Sequence, residues 1–442
     1  MANIYNFSKN VFQDIKQEYK NNPSIIFIIL IMLTIPLAII LSSISIGILV
    51  IFTIIYFKKS NFKFDKNLVL PIILYLLMLL SLFWTVDTNR TTTALLKEIP
   101  LLIFPICFFC FQAFTENQNQ KIIKYYSYGI VLLTFFYLIK ASIRFALTQD
   151  SGVFFYHELV TKEVNAIHVS VYVAIAFFYF FTKPLKKPLD FVLLSILLLM
   201  VFLLSSKNII VVFIGLMIVF HLFYSKLSKQ MRLKNLIIVG VILISFTFIG
   251  KIKDRFKQEY ETIMTDSTVN DVISKDGGTV YNVSIKQAWT NETFKPNDFF
   301  PGTAFRVYQF RIFLEMLQEE NIFWKGFGLN ASYNKIEEKG IKHNVYLGTN
   351  DEEGYQKKNF HNQYVQNFAE LGFFGFLILV IMLFINLKNG IVNKNFIHIA
   401  FAVLMISLFL TETFLWRQRG VVFFTSMYCL FNAKSLKLDS NN

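Results

Sequence analysis

The sequence predicts an all-α integral membrane protein of about twelve transmembrane helices with one large, helix-containing loop region, on three observations. Of its 442 residues, 55% are hydrophobic and 16% charged, too apolar a balance for a soluble domain of this length. Apolar runs recur at lengths that cross hydrocarbon, roughly 17 to 25 residues each. The short connections between them alternate between rich and poor in Lys and Arg, the asymmetry that separates cytoplasmic from outside loops.

The expected spans are 24–41, 44–57, 68–84, 99–114, 125–146, 165–181, 189–205, 208–224, 235–250, 372–387, 396–414 and 420–433. With the N-terminus inside, the inside segments hold Lys9, Lys16 and Lys20; Lys58, Lys59, Lys63 and Lys66; Lys121 and Lys124; and Lys183, Lys186 and Lys187. Further along they hold Lys226, Lys229, Arg232 and Lys234; Lys388 and Lys394; and Lys434 and Lys437. The outside connections hold mainly Arg90, Lys97, Lys162, Lys207, Arg417 and Arg419. An even number of crossings with both termini cytoplasmic follows. The net charge of +14 then belongs to membrane-flanking loops, and nucleic acid is not an expected partner. Asp14 and Glu18 precede the first span without a small-residue cleavage site, so no removable signal peptide is expected.

One stretch is long and polar, from Lys251 to about Leu371, and the alternation places it outside the cytoplasm. Three regions result: an N-terminal bundle of about nine helices over 1–250, a loop region over 251–371 holding part of the active site, and about three helices over 372–442. Within the loop, Phe305, Tyr308, Ile312, Phe313, Met316 and Leu317 recur at helical spacing, while 265–278 and 349–358 are polar turn material. Cys107, Cys110 and Cys429 fall within expected spans, where the C-x-x-C string reads as packing rather than redox chemistry. The histidines are scattered, without H-x-x-x-H or an acidic D-x-D pair, so no metal or other cofactor is expected. No P-loop, dinucleotide fingerprint or G-x-S-x-G elbow occurs, which sets ATP hydrolysis and serine-hydrolase chemistry aside.

What remains is a set of charged residues at the edges of apolar runs. Lys207 sits in LLSSKNIIVV, Arg306 and Arg311 in TAFRVYQFRIFLEML, His361 at the start of FHNQYVQNFAELGFFGF, and Glu412, Arg417 and Arg419 in FLTETFLWRQRGVVFF. Charges close to hydrocarbon are costly and tend to face a bundle interior or a water-filled cavity. Each has a plainer reading as well. Lys207, Arg417 and Arg419 suit snorkelling to head groups; one of Arg306 and Arg311 suits pairing with Glu315; Glu412 suits pairing with Arg417; His361 suits a helix cap.

H-N-x-Y followed by E-L-G-x-x-G and an apolar helix, residues 361–375, resembles the signature of the O-antigen ligase and polymerase superfamily of membrane glycosyltransferases, and is most like the ligases. FRVYQFRIFLEMLQEENIFWKGFGLN, residues 305–330, is similar to that family's Arg-led helix and G-x-G turn, with Arg306 at the matching arginine and Gly326 and Gly328 as the glycines. LLSSKNIIVVFIGL resembles its Ser-Arg segment, with Lys207 standing where arginine is usual. TETFLWRQRGVVFF resembles the junction before its last helix, with Glu412, Arg417 and Arg419 in place.

The resemblance implies a GT-C-like fold in the bacterial inner membrane. It implies an active site on the periplasmic side and a glycan donor carried on undecaprenyl diphosphate. The acceptor would be a lipid A core for a ligase, another carrier-linked glycan for a polymerase, or a protein hydroxyl for a third group. Such transfer needs cations against the leaving diphosphate and a base near the acceptor hydroxyl. Arg306 and Lys207 are therefore expected at the diphosphate, with Arg311, Arg417 and Arg419 as further cations. His361 is the expected base, since an imidazole titrates near neutrality. Asn362 and Tyr364 are expected to position sugar hydroxyls, and Glu370 or Glu412 to hold a cation or the imidazole. With side chains neutralising the diphosphate, no divalent ion is required, and direct displacement inverts the anomeric centre. A transporter of the lipid-linked glycan is the reading from another class; the gathering of candidate residues on one side of the membrane speaks against it.

Overall fold

The computed structural model describes residues 13–436 apart from 162, 205, 235–236, 238–239, 241–259, 263–264, 271–272, 275–277 and 350–351. The ninth expected span, 235–250, lies outside the described residues save 237 and 240, as do Lys9, Lys162, Lys251 and Lys437. The chain is a helical, multi-pass membrane protein. Among the described residues, five helical stretches are long and apolar enough to cross a bilayer: Lys66–Phe83, Thr88–Cys110, Glu116–Thr148, Lys207–Tyr224 and Gln363–Val392. Five shorter apolar helices accompany them.

In chain order the bundle comprises α1 (Ser24–Thr34), α2 (Ile39–Ile55), α3 (Val69–Leu80), α4 (Thr88–Glu98), α5 (Pro100–Cys110), α6 (Glu116–Thr148), α7 (Ala166–Thr182), α8 (Pro188–Leu203) and α9 (Lys207–Val219). The loop region adds three two-residue strands, β1 (Thr268–Val269), β2 (Tyr281–Asn282) and β3 (Asp298–Phe299). Its helices are α10 (Ile285–Thr290), α11 (Gly302–Glu319) and α12 (Tyr333–Lys342). The chain returns to the bundle through α13 (Gln363–Val392), α14 (Phe396–Leu408) and α15 (Gln418–Asn432). β1 pairs with β2 antiparallel and β2 with β3 in parallel, a small departure from the all-α expectation.

Several boundaries differ from the expected spans for identifiable reasons. The run 24–41 is divided at Pro36, which cannot continue the ladder of α1, and α2 begins at Ile39. The stretch expected at 99–114 begins at Thr88, because Asp87 caps α4 by accepting the Arg90 amide at 3.0 Å. The expected span 372–387 is the later part of a 30-residue helix broken at Gly372, where φ is 67° and ψ −165°. The span expected at 396–414 stops at Leu408 and gives way to a turn.

That break organises the region around it. Opening a helix frees carbonyls that must be satisfied elsewhere. Here the G-x-G turn supplies the donors: Phe327 N bonds Ala369 O at 2.9 Å and Gly328 N bonds Glu370 O at 2.8 Å, while Phe373 N bonds Phe323 O at 2.7 Å. The approach is so close that a Cβ on Gly372 would stand 2.3 Å from the Trp324 carbonyl, and one on Gly326 2.3 Å from the Glu370 backbone. The same turn is stitched to the α3–α4 connection by Val86 N to Phe327 O at 3.0 Å and to α4 itself by Thr91 Oγ1 to Leu329 O at 2.7 Å.

Two hydrophobic cores result. One runs through the bundle from α1 to α15, with α15 buried along almost its whole length. The other unites α11 and α12 with Phe360, Val365 and Ala369 around the start of α13. Phe305, Tyr308, Ile312, Phe313 and Met316 of α11 face it, as their spacing predicts. The connections gather at two ends. At one, Lys434 N bonds Asp65 and Leu436 N bonds Phe114 O. The opposite end holds the loop region and the turn from 409 to 417.

Candidate active site at one end of the bundle

Glu412 is the centre of the site. α14 ends in a tight turn in which Thr411 N and Glu412 N both bond Leu408 O at 2.9 Å, and this places the Glu412 carboxylate inside the protein, 9% exposed. Arg306, in the first turns of α11, reaches it with Nη2 at 3.2 Å from Oε1. The same guanidinium donates from Nε to Thr411 O and from Nη1 to Gly302 O, each at 2.9 Å. Guanidinium has five N–H donors in a fixed fork, so two remain for a ligand, and its side chain is 30% exposed.

His361 approaches the other carboxylate oxygen, with Nδ1 3.6 Å from Glu412 Oε2. That is ion-pair range rather than a formed hydrogen bond, and catalytic contacts often tighten only with substrate bound. The histidine sits just before α13 with φ of 47°, a left-handed conformation that costs a non-glycine residue about 1 kcal/mol or more. Its surroundings hold it there. The amide donates to Asn359 Oδ1 at 3.0 Å, the ring lies edge-on to Phe305 at 5.6 Å, and Asn362 starts the helix immediately after. Burial raises the pKa of Glu412, which lies beyond the apolar part of α14, but the adjoining His361 and the Arg306 guanidinium outweigh burial and hold it below the ordinary carboxylate value. The anion can therefore serve both neighbours at once.

Lys207 opens α9 and is half-buried. Its neighbour Asn208 ties that helix end to the Glu412 turn: Nδ2 donates to Ser407 O and to Thr411 Oγ1, both at 2.8 Å, and Ser407 Oγ donates back to Oδ1 at 2.5 Å. Thr411 is the residue whose carbonyl holds Arg306. Asn208 was not among the sequence candidates, although a polar pair, Lys207 and Asn208, between two apolar runs was the signal for it.

The other expected residues divide between scaffold and surface. Asn362 is the N-cap of α13, its Oδ1 accepting from Tyr364 N at 3.0 Å and Val365 N at 3.1 Å. The Tyr364 hydroxyl bonds Ile406 O at 2.9 Å. Glu370 lies inside the bundle, with Gln366 and Ser332 as partners, on a water-sized cavity of about 20 Å³ that Glu98 also lines. Arg311 pairs with Glu315 at 2.9 Å and donates from Nη1 to Asn291 O at 2.5 Å. Arg419 is buried, and its guanidinium donates to Leu37 O, at 2.8 Å from Nη2, and to Glu163 O. Glu412 pairs with Arg306 and His361, where the sequence had offered Arg417 as its partner. Arg417 is exposed, with no ion-pair partner among the described residues.

Residues 191–380 match the family model described as O-antigen ligase. The chain carries an O-antigen ligase domain. Comparison with curated protein sequences found no match. The O-antigen ligase domain includes Lys207, Arg306, Arg311, His361 and Glu370, whereas Glu412, Arg417 and Arg419 follow it. The O-antigen ligase domain thus supplies Arg306 and His361 of the site, and the α14–α15 connection supplies the carboxylate between them.

Proposed function

We propose that the protein is an O-antigen ligase-type glycosyltransferase of the bacterial inner membrane, working at the periplasmic face. It moves a glycan from undecaprenyl diphosphate to a hydroxyl of a lipid A core. The family assignment supports an O-antigen ligase- or polymerase-type activity; the arrangement that supports the chemistry is Glu412 between Arg306 and His361.

In this reading the acceptor hydroxyl oxygen attacks the anomeric carbon while the bond from that carbon to the diphosphate oxygen breaks. The proton of the hydroxyl passes to Nε2 of His361, and Glu412, facing Nδ1, fixes the ring and stabilises the imidazolium, as a carboxylate does for other catalytic histidines. Negative charge grows on the leaving diphosphate. Arg306, with two donors spare, and Lys207 receive it, the arginine as a fork and the lysine as a point charge. The attack inverts the anomeric centre. Asn362 and Tyr364 act by fixing the turn that presents His361, and Arg311 and Arg419 by holding the scaffold.

Deletion of the protein in its native host, followed by gel analysis of lipopolysaccharide and of carrier-linked glycan, tests the reading. Loss of polymer from lipid A with long carrier-linked chains retained is the expected result. Single-repeat products would instead identify a polymerase, and unchanged glycans would overturn both. His361→Ala and Arg306→Ala are each expected to abolish transfer at normal membrane abundance.

A further inference from the structure

Three cations gather on an aromatic pair beside His361. The Arg90 guanidinium lies 5.2 Å from the Tyr333 ring centre, and the Lys97 ammonium 5.3 Å from that of Trp416. The two rings are 5.9 Å apart. Arg417 follows Trp416 directly and is close enough to Tyr333 to act on it electrostatically. Trp416 is fixed by its Nε1–H bond to Asn330 Oδ1 at 2.8 Å. This face adjoins the site, because Asn359 hydrogen-bonds the Tyr333 hydroxyl and also accepts the His361 amide.

Placing a cation over a ring orients it without cancelling its charge. The carboxylate that meets Arg90 is Asp87, at 3.4 Å, and it is shared with the Asn334 amide at 3.2 Å and the cap of α4. Glu98 and Glu370, which line a small cavity with Lys97 and Trp416, are buried, whereas Arg90 and Arg417 are exposed and Lys97 half-buried. The charge this face turns outward is therefore positive, beside the indole of Trp416, a surface suited to the apolar side of a sugar. In the transferase reading above, Arg306 and Lys207 are already committed to the donor diphosphate. A second group of cations this close to the base has a different anion to meet.

We propose that Arg90, Lys97 and Arg417 form a subsite for a phosphate or carboxylate group on the acceptor sugar. The acceptor role rests on the transferase reading above; the anion site does not.

Two measurements on the full-length protein separate these. In nanodiscs of phosphatidylcholine, glucose 6-phosphate and glucuronate are the probes, with glucose as neutral control. Both anions are expected to bind at least about tenfold more tightly than glucose, and Arg90→Gln and Lys97→Gln each to weaken them about fivefold without changing glucose. Arg306→Ala is expected to keep the preference, and raised salt to erode it. Equal affinity for the three probes, or a preference that survives the folded double variant, overturns the proposal. In the transfer assay, the double variant is expected to raise KM for a phosphate-bearing acceptor and leave kcat and the donor KM alone. A fall in kcat at unchanged acceptor KM overturns the acceptor role. If anion binding depends on Arg90 and Lys97 while host deletion leaves all glycans unchanged, the subsite stands and the transferase reading falls.

Discussion

At the scale of single residues, the site turns on one buried carboxylate with two clients. Glu412→Gln keeps the shape of the side chain and one acceptor for Arg306, but removes the charge that faces His361. Transfer is expected to fall by about 10²- to 10⁴-fold, the size of a general base's contribution, with membrane abundance and melting temperature little changed. Measuring initial rates in membrane vesicles checks this, and a rate within threefold of the parent would remove Glu412 from the mechanism. The two cations should respond differently to exchange. Arg306 uses three donors to build the site, so Arg306→Lys loses both structure and phosphate fork and should be nearly inactive. Lys207→Arg offers a fork where a point charge stands, and activity at or above the parent level is the expected outcome of the same assay.

At the scale of elements, the interrupted helix α13 is the piece on which the site depends. Its break must stay open for the G-x-G turn to enter, and Gly372→Ala would set a Cβ 2.3 Å from the Trp324 backbone at a positive φ. A loss of about 2 kcal/mol or more is expected, read as a lowered melting temperature and poor yield. Gly47→Ala, with nothing within 4 Å, is the matched control and should be tolerated. The loop region has its own pH response. Burial pushes the His343 pKa below its ordinary 6.5 despite Glu315 nearby, and its ring sits 3.3 Å from that carboxylate and from the Tyr308 hydroxyl. As pH falls below about 6.5, the unfolded chain takes up the proton first, so this contribution to stability is complete above that pH and lost below it. For Glu315, burial is outweighed by Lys339, His343 and Arg311, and its pKa is lowered; stability from it is present above its ordinary 4.5 and is lost as pH falls through the folded value. Melting temperature should decline from pH 7 to 5, and His343→Gln should flatten the first step; an unaltered slope would refute the assignment. The sequence made α11 legible, since its apolar spacing and Arg306 both lie on one regular helix. It did not reveal the break at Gly372, because an apolar run reads alike whether its backbone is continuous or interrupted. Nor could it pair Glu412 with Arg306, 106 residues away in the chain, once Arg417 offered a nearer partner.

At the scale of the whole molecule, the arrangement concentrates chemistry at one end and leaves the other to short basic connections. Composition and the lengths of the apolar runs were enough to read a helical membrane protein with a separate polar loop region, because both follow from the cost of placing charge in hydrocarbon. The lengths of α1 and α14 were less legible, since Pro36 and the Glu412 turn end them inside apolar runs. α15 shows why burial cannot be read from hydropathy alone: it is buried along almost its whole length with Arg419 in its first turn, and that arginine is accommodated by the carbonyls of Leu37 and Glu163. The outward-facing site expected from the distribution of Lys and Arg can be tested directly. Glu292, in the loop region, and Lys388, near the other end of α13, are both exposed. Cysteines placed singly at these positions, in a chain with Cys107, Cys110 and Cys429 replaced by serine, report which end faces outward when a membrane-impermeant maleimide is added to intact spheroplasts. Glu292→Cys is expected to label at once, and Lys388→Cys only after permeabilisation. The reverse pattern would put His361 on the cytoplasmic side, where a donor and acceptor displayed at the outer face cannot reach it, and the proposed transfer would then be impossible whatever the geometry around Glu412.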